Sequence, residues 1–132
     1  ATAKRPANET RLGPTCESLL EQIRIHPSKA SGTYYFQSHL SYFNDLAASM
    51  TEIGRVLAPS GRLCMVVQDS YYKELHNDLP IIITEMASHS GIKMVDAFEY
   101  RKTKSMCGIN KASQAYRSRR TPVEMAILLT KE

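Results

Sequence analysis

The chain has 132 residues, of which 42% are hydrophobic and 23% are charged, and its formal net charge is +4. This length and composition predict one globular domain with a real core. They argue against a membrane span, because no apolar run is long enough, and the polar start Ala1–Pro6 gives no sign of secretion.

The first predicted helix follows a polar stretch. Residues 1–14 contain Pro6, Gly13 and Pro14, and we interpret them as a flexible leader or linker before a domain that spans residues 15–132. Thr15 can cap a helix. The apolar face of this helix comprises Cys16, Leu19, Leu20 and Ile23. His26-Pro27 should end this helix, since the residue before a proline avoids helical geometry.

A longer helix and a strand come next. Apolar residues recur at spacings of four and three, which predicts one continuous helical stripe; they are Phe36, Leu40, Phe43, Ala47, Met50, Gly54 and Leu57. Pro59-Ser60-Gly61 ends the helix. The short apolar run from Leu63 to Val67 predicts a strand that is buried on both faces, as in a parallel sheet.

The remaining elements alternate again. A third helix should begin at Asn77 or Asp78, tolerate Pro80 in its first turn and close at Gly91. We expect a strand from Lys93 to Tyr100 with Met94, Phe98 and Tyr100 on one side, then a long connection over 101–122 and a final strand from Val123 to Thr130. This order of elements predicts an α/β layer architecture.

Cysteines and histidines indicate no metal site or disulfide framework. Cys16, Cys64 and Cys107 are far apart and odd in number, so we interpret them as reduced thiols in a cytoplasmic protein, with Cys64 as a small core residue. None of the four histidines has a set of partners at the spacing of metal ligands. Glu85 and His89 could meet on one helical face, but two residues alone do not make a metal site. The four are His26, His39, His76 and His89.

Glu52-Ile-Gly-Arg-Val-Leu-Ala-Pro-Ser-Gly-Arg-Leu63 carries a family resemblance. It is similar to the helix and turn that enter the fifth strand of class I S-adenosylmethionine-dependent methyltransferases. Asp69-Ser-Tyr-Tyr-Lys73 and the stretch from Ala115 to Leu129 make the closest likeness that of bacterial DNA amino-methyltransferases, which methylate the exocyclic amine of cytosine or adenine. The resemblance covers residues 42–132 well and residues 15–41 less closely.

The resemblance implies the C-terminal half of a Rossmann-like methyltransferase sheet. In that family the last strand is antiparallel and inserts between the two before it, so strand 123–130 should lie between strands 63–68 and 93–100, with helices flanking this mixed three-stranded sheet. The outer edge of strand 63–68 would then pair with the missing N-terminal half. In this chain alone we expect a second copy, as a homodimer, or the N-terminal helices to cover that edge, because a bare apolar edge is a liability.

Two motifs of the family are missing. The chain has no Gly-x-Gly and no Pro-Pro pair, so no residue inherits cofactor binding or the grip on the target amine. The resemblance therefore implies that S-adenosylmethionine is bound by the parent protein, upstream of these residues. We assign no catalytic, cofactor or metal residue, and we expect this chain to be inactive alone.

The segment 101–122 is a candidate nucleic-acid surface. From Arg101 to Arg120 it holds seven basic residues and no acidic one. Clustered Lys and Arg neutralise phosphates, and a tyrosine among them can stack on a base; a solvated basic loop is the alternative. The candidate residues are Arg101, Lys102, Lys104, Lys111, Tyr116, Arg117, Arg119 and Arg120.

A second candidate lies at the end of the first strand. In open α/β sheets ligands bind outside the carboxyl ends of the strands, where this chain has Gln68, Asp69, Ser70 and Tyr71. Gln68 or Asp69 could hydrogen-bond a base edge, and Tyr71 or Tyr72 could stack on an extruded base. The alternative is a polar turn with the tyrosines covering the sheet. The aromatic segment Gly32–His39 could line the same cleft, although the spacing of Phe36 and Leu40 favours core.

Three functions fit these residues. The first is part of a DNA methyltransferase, with DNA as its substrate and a restriction enzyme as a candidate companion. The second is a fragment of an RNA methyltransferase. The third is a stand-alone, non-enzymatic nucleic-acid-binding module.

Overall fold

The structure is a computed structural model that describes residues 11–100 and 123–132. The helices are α1 (Pro14–Ile25), α2 (Phe36–Val56) and α3 (Leu79–Ser88), and a π-helical turn (Ser31–Tyr35) leads into α2. The strands are β1 (Arg62–Gln68), β2 (Ser70–Tyr72), β3 (Leu75–Asn77), β4 (Ile92–Tyr100) and β5 (Glu124–Lys131). Within the described ranges no helix combines the length and the apolar character needed to cross a membrane.

The main sheet has the strand order β1-β5-β4. β5 is antiparallel to both neighbours, so β1 and β4 run in the same direction. Ala126 at the centre of β5 lies between Val66 of β1 and Phe98 of β4. The predicted insertion of the last strand between the other two is confirmed.

Helix α1 begins two residues earlier than predicted and without the predicted cap. Gly13 is its N-cap residue and Pro14 its first residue, while the Thr15 hydroxyl donates to Glu85 Oε2 of α3 over 2.6 Å. Leu12, placed in the leader by its sequence context, is buried. The predicted buried face of α1 is confirmed at Cys16, Leu19, Leu20 and Ile23.

Helix α2 supplies the central part of the core. Phe43, Ala47, Met50 and Gly54 are buried, as the stripe predicted. The ammonium of Lys131 in β5 donates to the carbonyls of Gly54 and Leu57 over 2.6 and 2.8 Å. A cation there satisfies carbonyls that the helix leaves unpaired and offsets its dipole, so β5 is fastened to the end of α2.

Helix α3 follows the sequence prediction. Asp78 is its N-cap and Pro80 lies in its first turn. Ile82, Ile83 and Met86 are buried, and Gly91 after the helix has a φ of 71°. These positions place α3 over the same face of the sheet as the core residues of α1 and α2.

The first strand is buried on one face only, so the prediction of a strand buried on both faces is wrong. Leu63 and Met65 pack against the core and Val67 is part of it. Val66 is 61% exposed and Cys64 is also exposed, which corrects its assignment as a core residue. The error arises because an apolar run predicts burial without showing whether helices cover both faces.

Strand β4 contains an irregularity that reverses its alternation. The register shifts between Met94, opposite Leu129, and Asp96, opposite Leu128. Residues on opposite sides of such a bulge exchange faces, so Phe98 shares the face of Ala126 and Met94 does not. The prediction that Met94 and Phe98 lie on one side is wrong for this reason.

The outer edge of β1 pairs with no strand among the described residues. The core residues of all three helices cluster with the inward face of the sheet, at positions such as Ile127 and Leu129. Covering of this edge by a second copy stays a prediction.

Candidate functional site

The carboxyl end of β1 leads into a small hairpin that the sequence did not predict. β2 and β3 pair through Tyr71 opposite His76 and Tyr72 opposite Leu75. Lys73 at the turn has a φ of 54°, a left-handed conformation more typical of glycine or asparagine. The predicted polar strand-to-helix turn is therefore a structured projection beside the end of the sheet.

Asp69 makes three hydrogen bonds to two partner residues at this end. Its Oδ1 accepts the Val123 N–H over 2.6 Å, and its own N–H donates to the Val123 carbonyl over 3.2 Å. Its Oδ2 lies 2.7 Å from His76 Nε2, and the Asp69 side chain is only 15% exposed. Asp69 thus connects Val123 and His76. To hydrogen-bond the edge of a base, its carboxylate would have to give up its hydrogen bond to one of them.

The other predicted residues surround Asp69. Gln68 is half-buried in the last register position of β1, opposite Glu124. Ser70 Oγ accepts a hydrogen bond from Asn77 Nδ2 over 3.2 Å, and the Tyr71 ring stacks on His76 at a centroid distance of 4.9 Å. The structure therefore brings together all four predicted substrate-side residues.

His76 and Asn77 belong to the site but were not among the predicted site residues. Asn77 Oδ1 is buried and has no hydrogen-bond partner in the described part of the chain, which is uncommon for a buried acceptor. Only the hairpin brings these residues beside Asp69 and Ser70. No short motif in the sequence marks that pairing.

Tyr72 joins the hairpin to the helical side of the molecule. Its hydroxyl donates to Ser31 Oγ over 3.0 Å, and the fully buried Ser31 donates to the Ile23 carbonyl over 2.6 Å. The Tyr72 ring contacts His26, Tyr35 and His39 at centroid distances of 6.0, 5.6 and 5.2 Å. Tyr72 is therefore the centre of an aromatic cluster.

The segment Gly32–His39 contains both a core residue and exposed rings, and its role in lining a cleft stays a prediction. Phe36 packs against the core, as does Leu40 just after the segment, which confirms the interpretation from their spacing. Tyr34 and Tyr35 are 67% and 38% exposed; the Tyr35 ring contacts Tyr72, and the Tyr34 ring contacts Tyr35.

His26 adds a polar contact below this cluster. Its Nε2 lies 2.6 Å from Glu74 Oε1, and its Nδ1 lies 2.7 Å from Ser28 Oγ. Two hydrogen bonds lower the pKa of Glu74. The larger effect comes from the backbone N–H of Glu74 itself, and the smaller from the side chain of His26. Glu74 is exposed, so this shift describes local geometry and contributes little to stability.

The predicted basic residues from Arg101 to Arg120, with Tyr116, lie outside the described residues. The two flanking positions are described. Tyr100 is paired with Glu124, and Glu124 is also paired with Gln68. The described residues on either side of the basic segment therefore lie at the carboxyl end of β1.

A cavity of about 320 Å³ borders the hairpin at His76. The rest of its lining comes from α1 and comprises Pro14, Thr15, Ser18, Leu19 and Gln22. It offers hydroxyl and amide groups and no pairing of a nucleophile with a base. Within residues 11–100 and 123–132 no three His, Cys, Asp or Glu side chains are placed to hold a metal.

The described residues do not fit an S-adenosylmethionine site of the expected kind. Such a site needs a glycine-rich turn between a strand and a helix. After β1 the chain enters the β2–β3 hairpin, and α3 begins at Leu79 behind Asp78 with no glycine between β1 and α3.

Comparison with known proteins gives one structural relative. A crystal structure from Thermus thermophilus, provisionally assigned as a DNA modification methylase, matches with a TM-score of 0.55 and 19% identity. The match covers 90% of this chain and 50% of that chain, so the chain spans about half the length of its relative. No protein-family model and no curated protein matches. At this identity the comparison shows the fold alone, which is a mixed α/β methyltransferase-like fold.

Proposed function

We propose that this chain is the substrate-side, C-terminal part of a DNA amino-methyltransferase. The observation that carries the proposal is the position of the two residues that flank the basic segment. Tyr100 is paired with Glu124, itself opposite Gln68, and Val123 is bound to Asp69, so both lie at the carboxyl end of β1. This strand lies in a sheet whose structural relative is a provisional DNA methylase. Ligands of open α/β sheets bind at this end of the strands.

Two groups of residues would then contact the DNA. Lys and Arg from 101 to 120 neutralise phosphates and hold the duplex. Gln68, Ser70 and Tyr71 face the nucleotide that is to be methylated, with Asp69 fixing the strand end on which they stand. Transfer to an exocyclic amine requires that the base leave the duplex and be held at a fixed position.

Further parts come from outside these residues. S-adenosylmethionine supplies the methyl group and is bound by the N-terminal half of the parent protein, which also grips the amine. That half pairs with the outer edge of β1; a homodimer through the same edge is the competing arrangement. In this proposal the chain alone transfers no methyl group.

The proposal is tested first by DNA binding to the chain itself. Fluorescence anisotropy with a labelled 20-base-pair duplex should show binding that weakens as salt rises. Changing Arg117, Arg119 and Arg120 to Gln should weaken binding and reduce the salt slope by about 3.

A matched control removes three charges from the opposite end of the sheet. Arg55, Arg62 and Lys93 lie at the end of α2 and at the starts of β1 and β4, and their change to Gln should leave most of the affinity. Equal losses in both triple variants would contradict a dedicated surface. Preference for an RNA hairpin over the duplex would favour the RNA methyltransferase alternative.

A further inference from the structure

Aromatic rings form an exposed stripe along the start of α2. Tyr35, His39 and Tyr42 are spaced by four and three residues, which puts them on one helical face. Tyr42 is 50% exposed, and Tyr34 beside them is 67% exposed. We call these four residues the aromatic surface. Several rings exposed together on one face are a marker of binding.

The aromatic surface is held in place from the hairpin side. Tyr72 contacts Tyr35 at an interplanar angle of 47° and His39 at 71°, and its hydroxyl is tied to the buried Ser31. Tyr34 meets Tyr35 edge to face at 5.1 Å. Tilted and edge-to-face contacts of this kind fix ring orientation, so Tyr34, Tyr35 and His39 are ordered, and Tyr42 is oriented by an edge-to-face contact with Phe43 at 5.3 Å.

The backbone beneath the aromatic surface is irregular. Ser31–Tyr35 is a π-helical turn, entered through Ala30 with a φ of 62°. Both features cost conformational energy, and π-helical turns are frequent at functional sites. This irregular segment carries the exposed rings of Tyr34 and Tyr35, whose exposure shows that core packing does not explain them.

Polar groups of the aromatic surface suit a base better than an apolar peptide. His39 Nδ1 donates to the Tyr35 carbonyl over 2.7 Å, which directs its other ring nitrogen away from that bond. The tyrosine hydroxyls add donors and acceptors at the ring margins. Lys73 Nζ lies 5.8 Å from the centroid of the Tyr72 ring, which brings positive charge beside the platform.

The aromatic surface is continuous with the proposed DNA site. Tyr72 is three residues beyond Asp69, whose carboxylate and backbone bind Val123, where the basic segment rejoins the described chain. Proteins that bind unpaired nucleic acid combine a positively charged path with aromatic rings on which bases stack. Tyr72 and Val123, the residue that follows the basic segment, both lie near this end of the sheet.

We propose that the aromatic surface binds an unpaired base of a nucleic-acid strand by stacking, with Tyr35 and Tyr42 as its principal rings. The inference rests on the proposed function, because it takes nucleic acid to be the substrate. It extends that function to an exposed aromatic face at the start of α2. Its consequence is a preference for DNA that contains an unpaired base.

The test uses the 132-residue chain and two DNA probes. One is a duplex that carries 2-aminopurine opposite an abasic site, and the other is the same duplex fully paired. Stacking quenches 2-aminopurine fluorescence, while anisotropy of an end label reports total binding. The wild-type chain should quench the first probe and bind it more tightly than the second.

Two variants separate the aromatic contribution from the basic one. Tyr35→Leu combined with Tyr42→Leu should lower affinity for the unpaired probe about tenfold and abolish quenching, while paired-probe affinity changes little. Tyr35→Phe combined with Tyr42→Phe keeps the rings and should keep both signals. Tyr34→Leu, at the most exposed of these rings, serves if the double variant fails to fold.

The outcomes separate the two proposals. If the leucine variants quench and bind like wild type while the Arg117, Arg119 and Arg120 variant loses binding, stacking is wrong and the proposed function stands. If the wild-type chain binds neither probe, both proposals fail. Equal affinity for the two probes without quenching also overturns the stacking proposal.

Discussion

Asp69 and Val123 are joined by two hydrogen bonds, one from each backbone N–H. The Val123 N–H donates to Asp69 Oδ1 over 2.6 Å, and the Asp69 N–H donates to the Val123 carbonyl over 3.2 Å. One carboxylate thus links the end of β1 to the residue that follows the basic segment 101–122. The same carboxylate contacts His76, so Asp69 joins the end of β1, the hairpin and Val123.

Replacement of Asp69 should therefore destabilise the fold. Asp69→Ala leaves the Val123 N–H without its acceptor, and we expect a loss of about 1–3 kcal/mol in the free energy of unfolding. Asp69→Asn keeps an oxygen for Val123 and should cost less than half as much. Urea denaturation followed by circular dichroism measures both. Asp45→Ala at an exposed position of α2 is the control, and an equal loss there would contradict this role for Asp69.

Close packing at Gly54 gives a second prediction. A Cβ atom there would lie 2.8 Å from Ser90 Cβ and 3.1 Å from the Ser90 carbonyl oxygen. Gly54→Ala should lower stability by about 1–2 kcal/mol, because overpacking exceeds the gain of about 1 kcal/mol in helix propensity. Ser49→Ala, on the exposed side of α2, should change stability by less than about 0.5 kcal/mol. An unfolding midpoint that rises in Gly54→Ala would refute the close contact.

The two faces of β1 give a third prediction. Val66 is 61% exposed and its neighbour Val67 is 9% exposed. Val67→Thr buries a hydroxyl and should cost about 1–3 kcal/mol, whereas Val66→Thr should stay within about 0.5 kcal/mol of wild type. Thermal unfolding of the two single variants compares the same change at adjacent positions. Equal costs would mean that a second layer covers the outer face in solution.

The cysteines give a pH-dependent prediction. Burial, then the charges of Glu17 and Glu85, raise the pKa of Cys16 from 9.0 to about 12, while Cys64 is exposed. At pH 8 iodoacetamide should modify Cys64 and leave Cys16 intact until urea is added, because only the thiolate reacts. Mass spectrometry of a Cys107→Ser variant distinguishes the two sites. Modification of Cys16 in the native chain would contradict its burial.

The sign of the accompanying stability change follows from the same shift. The folded state holds the Cys16 proton more tightly than the unfolded chain, so stability is unaffected well below pH 9 and falls as pH rises from about 9 toward 12. The urea midpoint should therefore decrease between pH 8 and pH 10, and the decrease should be larger in wild type than in Cys16→Ala.

The sequence predicts the helices and the sheet order well because both depend on repeated patterns. The stripe from Phe43 to Gly54 marks the core face of α2, and the resemblance correctly predicts the insertion of β5 between β1 and β4. The helix cap at Thr15 fails because a tertiary partner, Glu85, binds its hydroxyl instead.

The site is predictable in part for the same reason. Gln68 to Tyr71 follow from their place after a strand. The hairpin does not, since its turn residues Lys73 and Glu74 carry none of the Asn-Gly or Gly signals of a two-residue turn. Without the hairpin, the nearness of His76 to Asp69 and of Tyr72 to Tyr35 cannot be inferred. Those contacts depend on tertiary pairing, which local sequence does not encode.

Methyl transfer tests the central proposal most directly. The complete reading frame that encodes this chain should be expressed and incubated with duplex DNA and S-adenosylmethionine that carries a tritiated methyl group, with the 132-residue chain alone as control. We expect label in DNA, recovered after digestion as N4-methylcytosine or N6-methyladenine, from the complete protein only. Label from the 132-residue chain alone, or label confined to RNA or absent from both nucleic acids with the complete protein, would contradict the account.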